Sequence, residues 1–418
     1  TGWMNGDIKL ATLSDTDDTD LVGSELVTNG TFDTDISGWT ETDTNNQMTP
    51  SHNAGALRMT STGNTNNAVW MGQTITGLTV GQLYTVSADV TITGSANVSV
   101  ILHSPYITSF PEINSSGVYS FTFKASSTTH EIRTYIAAGF TTGSTVDFDN
   151  VSLRAAEPDR SVNGNGLQVF GTVQKNPVAT GADLVAYSGF SFFDYLRQPH
   201  NSDLDFGTGD FCIMGWINPV AGATQGIVSY GDSSLANGHL WFGVLSQNTV
   251  RLWLGATGYD HNITTADTVS GGVWNHLAVY RQSGVAYIYI NGKLSISNTL
   301  TDDFSNNIGY LSVGVAPDNT TANANCSLAL LRVSATVPTA EQIAKIYRDE
   351  KPLFQEGAQA TLHGTSDAVT ALAYDTDTTL LHVGTSAGRS VFQGLRRVDN
   401  TTDAVGTAIS ASNNLIVE

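Results

Sequence analysis

Basic residues are scarce in this chain of 418 residues: 18 Lys and Arg stand against 38 Asp and Glu, and the four charged types together make up only 13%. The resulting net charge of −20 repels phosphate backbones and anionic bilayers, which argues against nucleic acid and acidic membranes as partners. No apolar run reaches the ~18–20 residues that cross a bilayer, so no membrane insertion is expected. The chain opens on Thr1 without a charged-then-apolar leader and reads as a processed or cropped piece of something longer. Cysteine is limited to Cys212 and Cys326, which leaves two readings open: buried free thiols, or one disulfide between neighbouring strands. Neither has a Cys or His beside it at ligand spacing, so zinc is excluded. Also missing are a Gly-x-Ser-x-Gly elbow, a His-Glu-x-x-His helix, a phosphate loop and a dinucleotide fingerprint.

The place of the missing charge is taken by Thr, Ser, Asn and Gly, residues of solvent-facing strand positions and tight turns. With 40% hydrophobic residues the chain can still build real cores, and its length predicts two to four domains. This is the profile of extracellular all-β proteins and virion appendages. Residues 1–22 read as one or two strands between Trp3 and Leu13, then a solvated acidic linker, Ser14-Asp-Thr-Asp-Asp-Thr-Asp20. That linker lacks the sixth-position Gly and twelfth-position Glu of a calcium-binding EF loop. Residues 23–157 alternate short apolar and polar runs with period two, as in Leu83-Tyr-Thr-Val-Ser-Ala-Asp-Val-Thr-Ile92 and His130-Glu-Ile-Arg-Thr-Tyr-Ile136. Such alternation predicts antiparallel sheets with one wet face each.

Three stretches of this first domain carry a resemblance. Glu25-Leu-Val-Thr-Asn-Gly-Thr-Phe-Asp33, ending at Ser37-Gly-Trp39, opens it; Leu78-Thr-Val-Gly-Gln-Leu-Tyr84 lies at its centre; Val146-Asp-Phe-Asp-Asn-Val-Ser-Leu153 closes it. Together they resemble the jelly-roll carbohydrate-binding modules appended to xylanases and glucanases. The resemblance implies one structural calcium tying first strand to last, for which Asp33 and Asp149 are the matching carboxylates; both also read as ordinary surface aspartates. In residues 158–355, Leu204-Asp-Phe-Gly-Thr-Gly-Asp-Phe-Cys-Ile-Met-Gly-Trp216 and Gly272-Val-Trp-Asn-His-Leu-Ala-Val-Tyr-Arg281 resemble a laminin-G-like, concanavalin-A-like sandwich. Asn291-Gly292 predicts a type I′ hairpin turn there. A helix after Pro338 is expected from the capping box Thr339-Ala-Glu-Gln342, with Ile343, Ile346 and Tyr347 on one face and Pro352 as its stop. Residues 356–418 read as three or four strands, the last from Ala404 to Ile416, and resemble one β-propeller blade. A lone blade cannot bury both faces, so this segment is expected to pack on other chain. The fold class is therefore all-β: two tandem β-sandwiches, a jelly roll and then a concanavalin-A-like domain, with a propeller-blade-like C-terminal segment after one short helix.

Glycoside hydrolysis needs two carboxylates at one bond, one of them held protonated. No Glu occurs between Glu157 and Glu341, so the Glu-x-Asp-x-Glu strand of concanavalin-A-like hydrolases is absent, and no catalytic residue is assigned. Binding is the better expectation. Sugars are held by aromatic faces against their C–H side and by polar groups at their hydroxyls. The candidates are Trp39, Trp70, Tyr106 and Tyr135 in the first sandwich and Trp253, Tyr259 and His261 in the second, with Trp241 near them. Each aromatic can equally be core. The resemblance extends to tailed-bacteriophage structural proteins with the same pair of domains. It implies an extracellular, virion-surface or tail-fibre protein that displays glycan-binding modules toward host-surface polysaccharide, as a homo-oligomer or within a larger virion assembly. A secreted bacterial adhesin or surface-layer protein, and the non-catalytic part of a polysaccharide-degrading enzyme, are the alternatives.

Overall fold

The computed structural model describes the chain apart from residues 1–6, 44, 64–66, 104, 106–107, 110–111, 233–237, 256–260, 307, 317–325, 366–367, 404–409, 413–414 and 418. Strands are the dominant regular structure of the described residues, with one α-helix and two short 3-10 turns beside them. The first sandwich packs two sheets over a shared apolar core. One sheet runs in the order Met48–Asn53, Ala56–Ser61, Thr145–Glu157, Leu83–Thr93, Gly117–Lys124. The other runs Thr40–Thr42, Val69–Thr76, Thr129–Ile136, Val98–His103, Thr108–Ser109. Period two is the reason they close: His130, Ile132, Thr134 and Ile136 turn inward while Glu131, Arg133 and Tyr135 turn outward.

The second sandwich pairs Ser327–Ser334 with Phe211–Asn218, and then Asn275–Gln282, Val285–Ile290 and Lys293–Thr299 follow. Facing it is a sheet of Leu167–Pro177, Tyr195–Gln198, Tyr310–Val313, Gln225–Gly231, His239–Val244, Thr249–Gly255 and His261–Thr268. Asn291 (φ +51) and Gly292 (φ +77) make the expected left-handed hairpin turn. The helix is Ala340–Glu350, and both halves of its capping box are made: the Gln342 amide donates to Thr339 Oγ1 at 3.2 Å, and the Thr339 amide to the Gln342 side chain at 2.7 Å. Ile343 and Ile346 cover Met214, Tyr280 and Tyr289, so the outer face of that sheet is dry rather than wet. Glu350, fully buried, fastens the helix end: the Trp216 indole donates to it at 2.7 Å, and Arg332 pairs with it. Cys212 and Cys326 are both free and buried.

The N-terminal residues differ from expectation. The expected strand is there, at Ile8–Thr12, and Thr16–Asp20 are exposed, but the segment is part of the second sandwich and not a separate leader to the jelly roll. Ile8–Thr12 pairs with Ser327–Ser334, and Leu10 and Leu13 are fully buried in the second sandwich's core. Leu21–Gly23 then pairs with Leu167–Pro177. A Cβ on Gly23 would sit 1.8 Å from the Val169 carbonyl oxygen, so only glycine passes here. The chain starts in the second sandwich, leaves it at Gly23 to build the jelly roll, and returns along Thr145–Glu157, whose end pairs with Leu167–Pro177. Hydrophobic alternation marks strands but not partners, and this insertion is a matter of partners alone. The acidic segment is held as well: Asp15 pairs with the buried Lys175 at 3.0 Å.

The C-terminal segment is a four-stranded antiparallel meander, Val369–Asp375, Leu380–Thr385, Gly388–Gln393 and Arg396–Thr401. Arg396–Thr401 is a strand that the sequence reading did not contain, formed because Gly394 (φ +62) reverses the chain directly after the third; within the expected 404–416 strand, whose residues 404–409 lie outside the described ones, Ser410–Ser412 pairs with Leu415–Val417. The meander is moored to the second sandwich: Asp183 accepts from the Ala360 amide at 2.9 Å and from the Thr361 hydroxyl at 2.7 Å. Leu372 and Tyr374 on its first strand are 65% and 60% exposed.

At the point of return Glu157 is buried and takes the Tyr187 hydroxyl at 2.5 Å. Burial pushes its carboxyl up to about 7, the Tyr187 hydrogen bond opposing. A carboxyl raised on folding favours the folded state when protonated. Its contribution is complete below the unfolded value near 4.5 and is lost as pH rises through about 7. Glu157→Gln, which cannot ionise, is therefore expected to melt progressively higher than wild type as pH goes from 4.5 to 8. A wild-type-to-variant difference that stays flat across that range in thermal melts refutes the assignment.

Candidate functional site

The outer face of the sheet containing Val69–Thr76 and Thr129–Ile136 brings two of the expected aromatics together. Tyr135 is the direct cross-strand partner of Trp70, and their rings stack at 6.1 Å and 23°. Thr42 and Ser99 extend this row on either side. The next row places Arg133 beside Gly72, and the Arg133 guanidinium lies 4.4 Å over the Trp70 ring. Glu131 then holds that guanidinium through two hydrogen bonds, 3.0 and 2.6 Å. Gly72 is what permits this, since a Cβ there would meet the Glu131 carboxylate at 2.5 Å. The Trp70 indole N–H has no acceptor among the described residues. The face thus offers stacked rings, a fixed fork of donors and a carboxylate acceptor, the groups that grip a sugar's C–H face and hydroxyls.

Arg133, Glu131 and Gly72 were missed from sequence. The signal was present: Glu131, Arg133 and Tyr135 occupy alternate positions of one strand and must share a face. Gly72, two residues from Trp70, had no signal of its own.

The remaining candidates are scattered. Trp39 is not an exposed platform. It is 7% exposed, lies 5.4 Å from Phe32 in the core, and donates its indole N–H to the Asn29 carbonyl at 3.2 Å. Of the two readings open to it, platform and core, the structure takes the second: the ring turns inward and closes the sandwich. Tyr106 and Tyr259 lie outside the described residues. Trp253 is half-buried on the outer side of Thr249–Gly255, opposite Asn262, with Arg251 5.3 Å from its ring. Its other neighbour, Trp241, is 3% exposed. His261 is tied to Asp302 at 2.6 Å, an ion pair only when the imidazole is protonated. Among the described residues, the candidates of the two sandwiches form no joint site.

Asp33 lies close enough to Asp149 for its charge to act on that carboxyl. Burial is the main cause that raises the Asp149 carboxyl above the usual range, and the charges of Asp89 and Asp33 add to it. Asn150 already bridges part of this group, donating to Asp89 at 2.9 Å. Among the described residues no three His, Cys, Asp or Glu side chains converge closely enough to hold an ion. The side chains present are thus only part of the six to eight oxygen ligands calcium takes.

Residues 24–160 match the family model described as a carbohydrate binding domain, and residues 192–344 match that of the concanavalin A-like lectin/glucanases superfamily. The chain thus carries a carbohydrate-binding-type module together with a concanavalin-A-like domain. Among solved structures it is similar to domain 4 of an extracellular arabinanase from Geobacillus stearothermophilus, solved with arabinotriose (20% identity, 46% of this chain and 92% of that one, TM-score 0.38). It is also similar to the binding domain of Paraclostridial Mosquitocidal Protein 1 (15% identity, 56% and 62%, TM-score 0.39). A third is a pentraxin from Limulus polyphemus (18% identity, 37% and 75%, TM-score 0.30). No curated protein matches the chain.

Because Trp39 is core, Trp39→Ala is expected to cost the jelly roll about 3–5 kcal/mol, the usual range for a buried large aromatic. Denaturant unfolding measures this, and a loss under 1 kcal/mol is inconsistent with the packing described.

Proposed function

We propose that this chain is a non-catalytic display protein that holds glycans on the outer Trp70–Tyr135 face of its jelly roll. The observation that carries the reading is the cross-strand Trp70–Tyr135 stack with Arg133 locked over it by Glu131. Half-buried and ordered in advance on the outer side of the sheet, these rings and the guanidinium suit a ligand with both apolar and hydroxyl sides. The finer reading is attachment: an extracellular virion or tail-fibre component that engages host-surface polysaccharide. Weak single contacts there gain strength by repetition across a homo-oligomer or larger virion assembly. The poverty in basic residues and the open apolar side of the C-terminal meander, at Leu372 and Tyr374, support a protein that works in an assembly outside nucleic acid and membrane.

Trp70→Ala is expected to weaken binding to a glycan array at least tenfold without lowering the melting temperature by more than a few degrees. Unchanged array binding in Trp70→Ala and Tyr135→Ala together would sink the site. Release of reducing sugar from any polysaccharide the chain binds would overturn the non-catalytic reading.

We also propose a structural calcium near Asp33 and Asp149, with backbone or water oxygens completing its shell. Calcium is then expected to raise the melting temperature and a chelator to lower it, with Asp149→Asn abolishing the response. Identical melts in calcium and chelator refute it.

A further inference from the structure

A cavity of about 720 Å³ lies not on the Trp70 face but along the seam between the two sandwiches. This size is within the range of small-ligand sites, about 300–1,000 Å³. The seam is held on both sides. The chain crosses it at Gly23 and again at Glu157, and the Gln168 amide, 3% exposed, donates to Thr85 O at 3.3 Å and Ser152 Oγ at 3.4 Å across it. The cavity's walls therefore have little freedom to lose when a ligand enters.

Two guanidiniums line the cavity, each laid on a ring. Arg154 lies 4.2 Å over Phe170, which stacks on Tyr195 at 4.5 Å and 10°. Arg197 lies 3.7 Å over Tyr310 and donates to Ser312 at 3.1 Å. Stacking fixes the planes of the guanidiniums and so the directions of their N–H edges. On the jelly-roll side stands Asp89, placed by a break in strand regularity. The pairing of Thr145–Glu157 with Leu83–Thr93 shifts register between Asp149 and Ser152, and Asn150 there takes φ +48 and donates to Asp89 at 2.9 Å. A bulge with a left-handed non-glycine residue is strain of the kind that recurs at binding sites. Val27, Val118 and Ile308 supply an apolar strip.

Charge selects among ligands. Glu25, Asp89 and Asp232 line the cavity against Arg154 and Arg197, and Arg154 is already paired with Glu25 at 3.2 Å. His200 also lines it, its ring 3.1 Å from the Gly309 carbonyl. The lining is acidic on balance in a chain of net charge −20, so an anionic ligand is repelled. Fixed donors, carboxylate acceptors and an apolar strip fit a neutral, hydroxyl-rich molecule.

We propose that the seam cavity is a second saccharide site, for a short neutral oligosaccharide, with Arg197 as donor, Asp89 as acceptor and Tyr310 and Ile308 as the apolar wall. It stands independently of the Trp70 face. The test is titration calorimetry on the full chain with cellotetraose, xylotetraose, maltotetraose and arabinotriose, and with trigalacturonate as the acidic control. The Trp70→Ala/Tyr135→Ala chain is expected to retain one site for at least one neutral probe. In that background Asp89→Asn and, separately, Ile308→Trp are each expected to weaken the site at least tenfold. Ile308 is 45% exposed, so a larger side chain narrows the cavity without disturbing the core. Trigalacturonate is expected not to bind. Loss of all neutral binding in the Trp70→Ala/Tyr135→Ala chain removes the seam site and leaves the Trp70 face standing. Binding lost only in the seam variants removes the Trp70 face instead. No binding of any neutral probe to the wild-type chain, or tighter binding of trigalacturonate, overturns the seam proposal.

Discussion

Both passages of the chain between the sandwiches occur at one seam, and the rest of the molecule is arranged around that constraint. Leu21–Gly23 leaves beside Leu167–Pro177, and Thr145–Glu157 returns to the same strand. The jelly roll is therefore an insertion within the second sandwich. A single tether would let the two bodies swing; two tethers on one strand, with Gln168 buried between them, hold a fixed angle and leave a fixed cavity. The same constraint brings polar groups under cover. Glu157 ends the returning strand inside protein and is satisfied by Tyr187, while Lys175 is satisfied by Asp15 from the N-terminal segment. Each would be costly if unpaired, so the N-terminal segment is needed for more than its two buried leucines.

The sheets divide their labour by which outer face is covered. In the second sandwich the helix Ala340–Glu350 closes one outer face, fixed by Trp216 and Arg332 on Glu350. In the jelly roll the outer face of Val69–Thr76 and Thr129–Ile136 carries Trp70, Tyr135, Arg133 and Glu131. Inward residues on those same strands are ordinary core. Aromatic and charged groups there cost the fold little, because period two lets one strand serve the core and the exterior at once.

Much of the fold was legible. Alternation marked strands such as Leu83–Thr93 and Thr129–Ile136, Thr339-Ala-Glu-Gln342 marked the helix start, and Asn291-Gly292 marked its hairpin, because each is a local preference acting over a few residues. Of the site, Trp70 and Tyr135 were named as residue types able to stack, while Arg133 and Glu131 sat unused in the same alternating run. Trp39 stays open between platform and core in the sequence, because a local stretch says where the backbone bends and not which way a ring points.

What the sequence by itself determined is the all-β class, the places of its helix and of its most regularly alternating strands, and the poverty in basic charge, since these follow from composition and short-range periodicity. Only the tertiary structure decided that Ile8–Thr12 closes a core more than 300 residues downstream, where it pairs with Ser327–Ser334. Only it decided that Tyr135 meets Trp70, and that Arg154, Arg197 and Asp89 line one cavity. Strand partners and facing side chains are selected by global packing, and no local pattern encodes the register in which two distant strands meet.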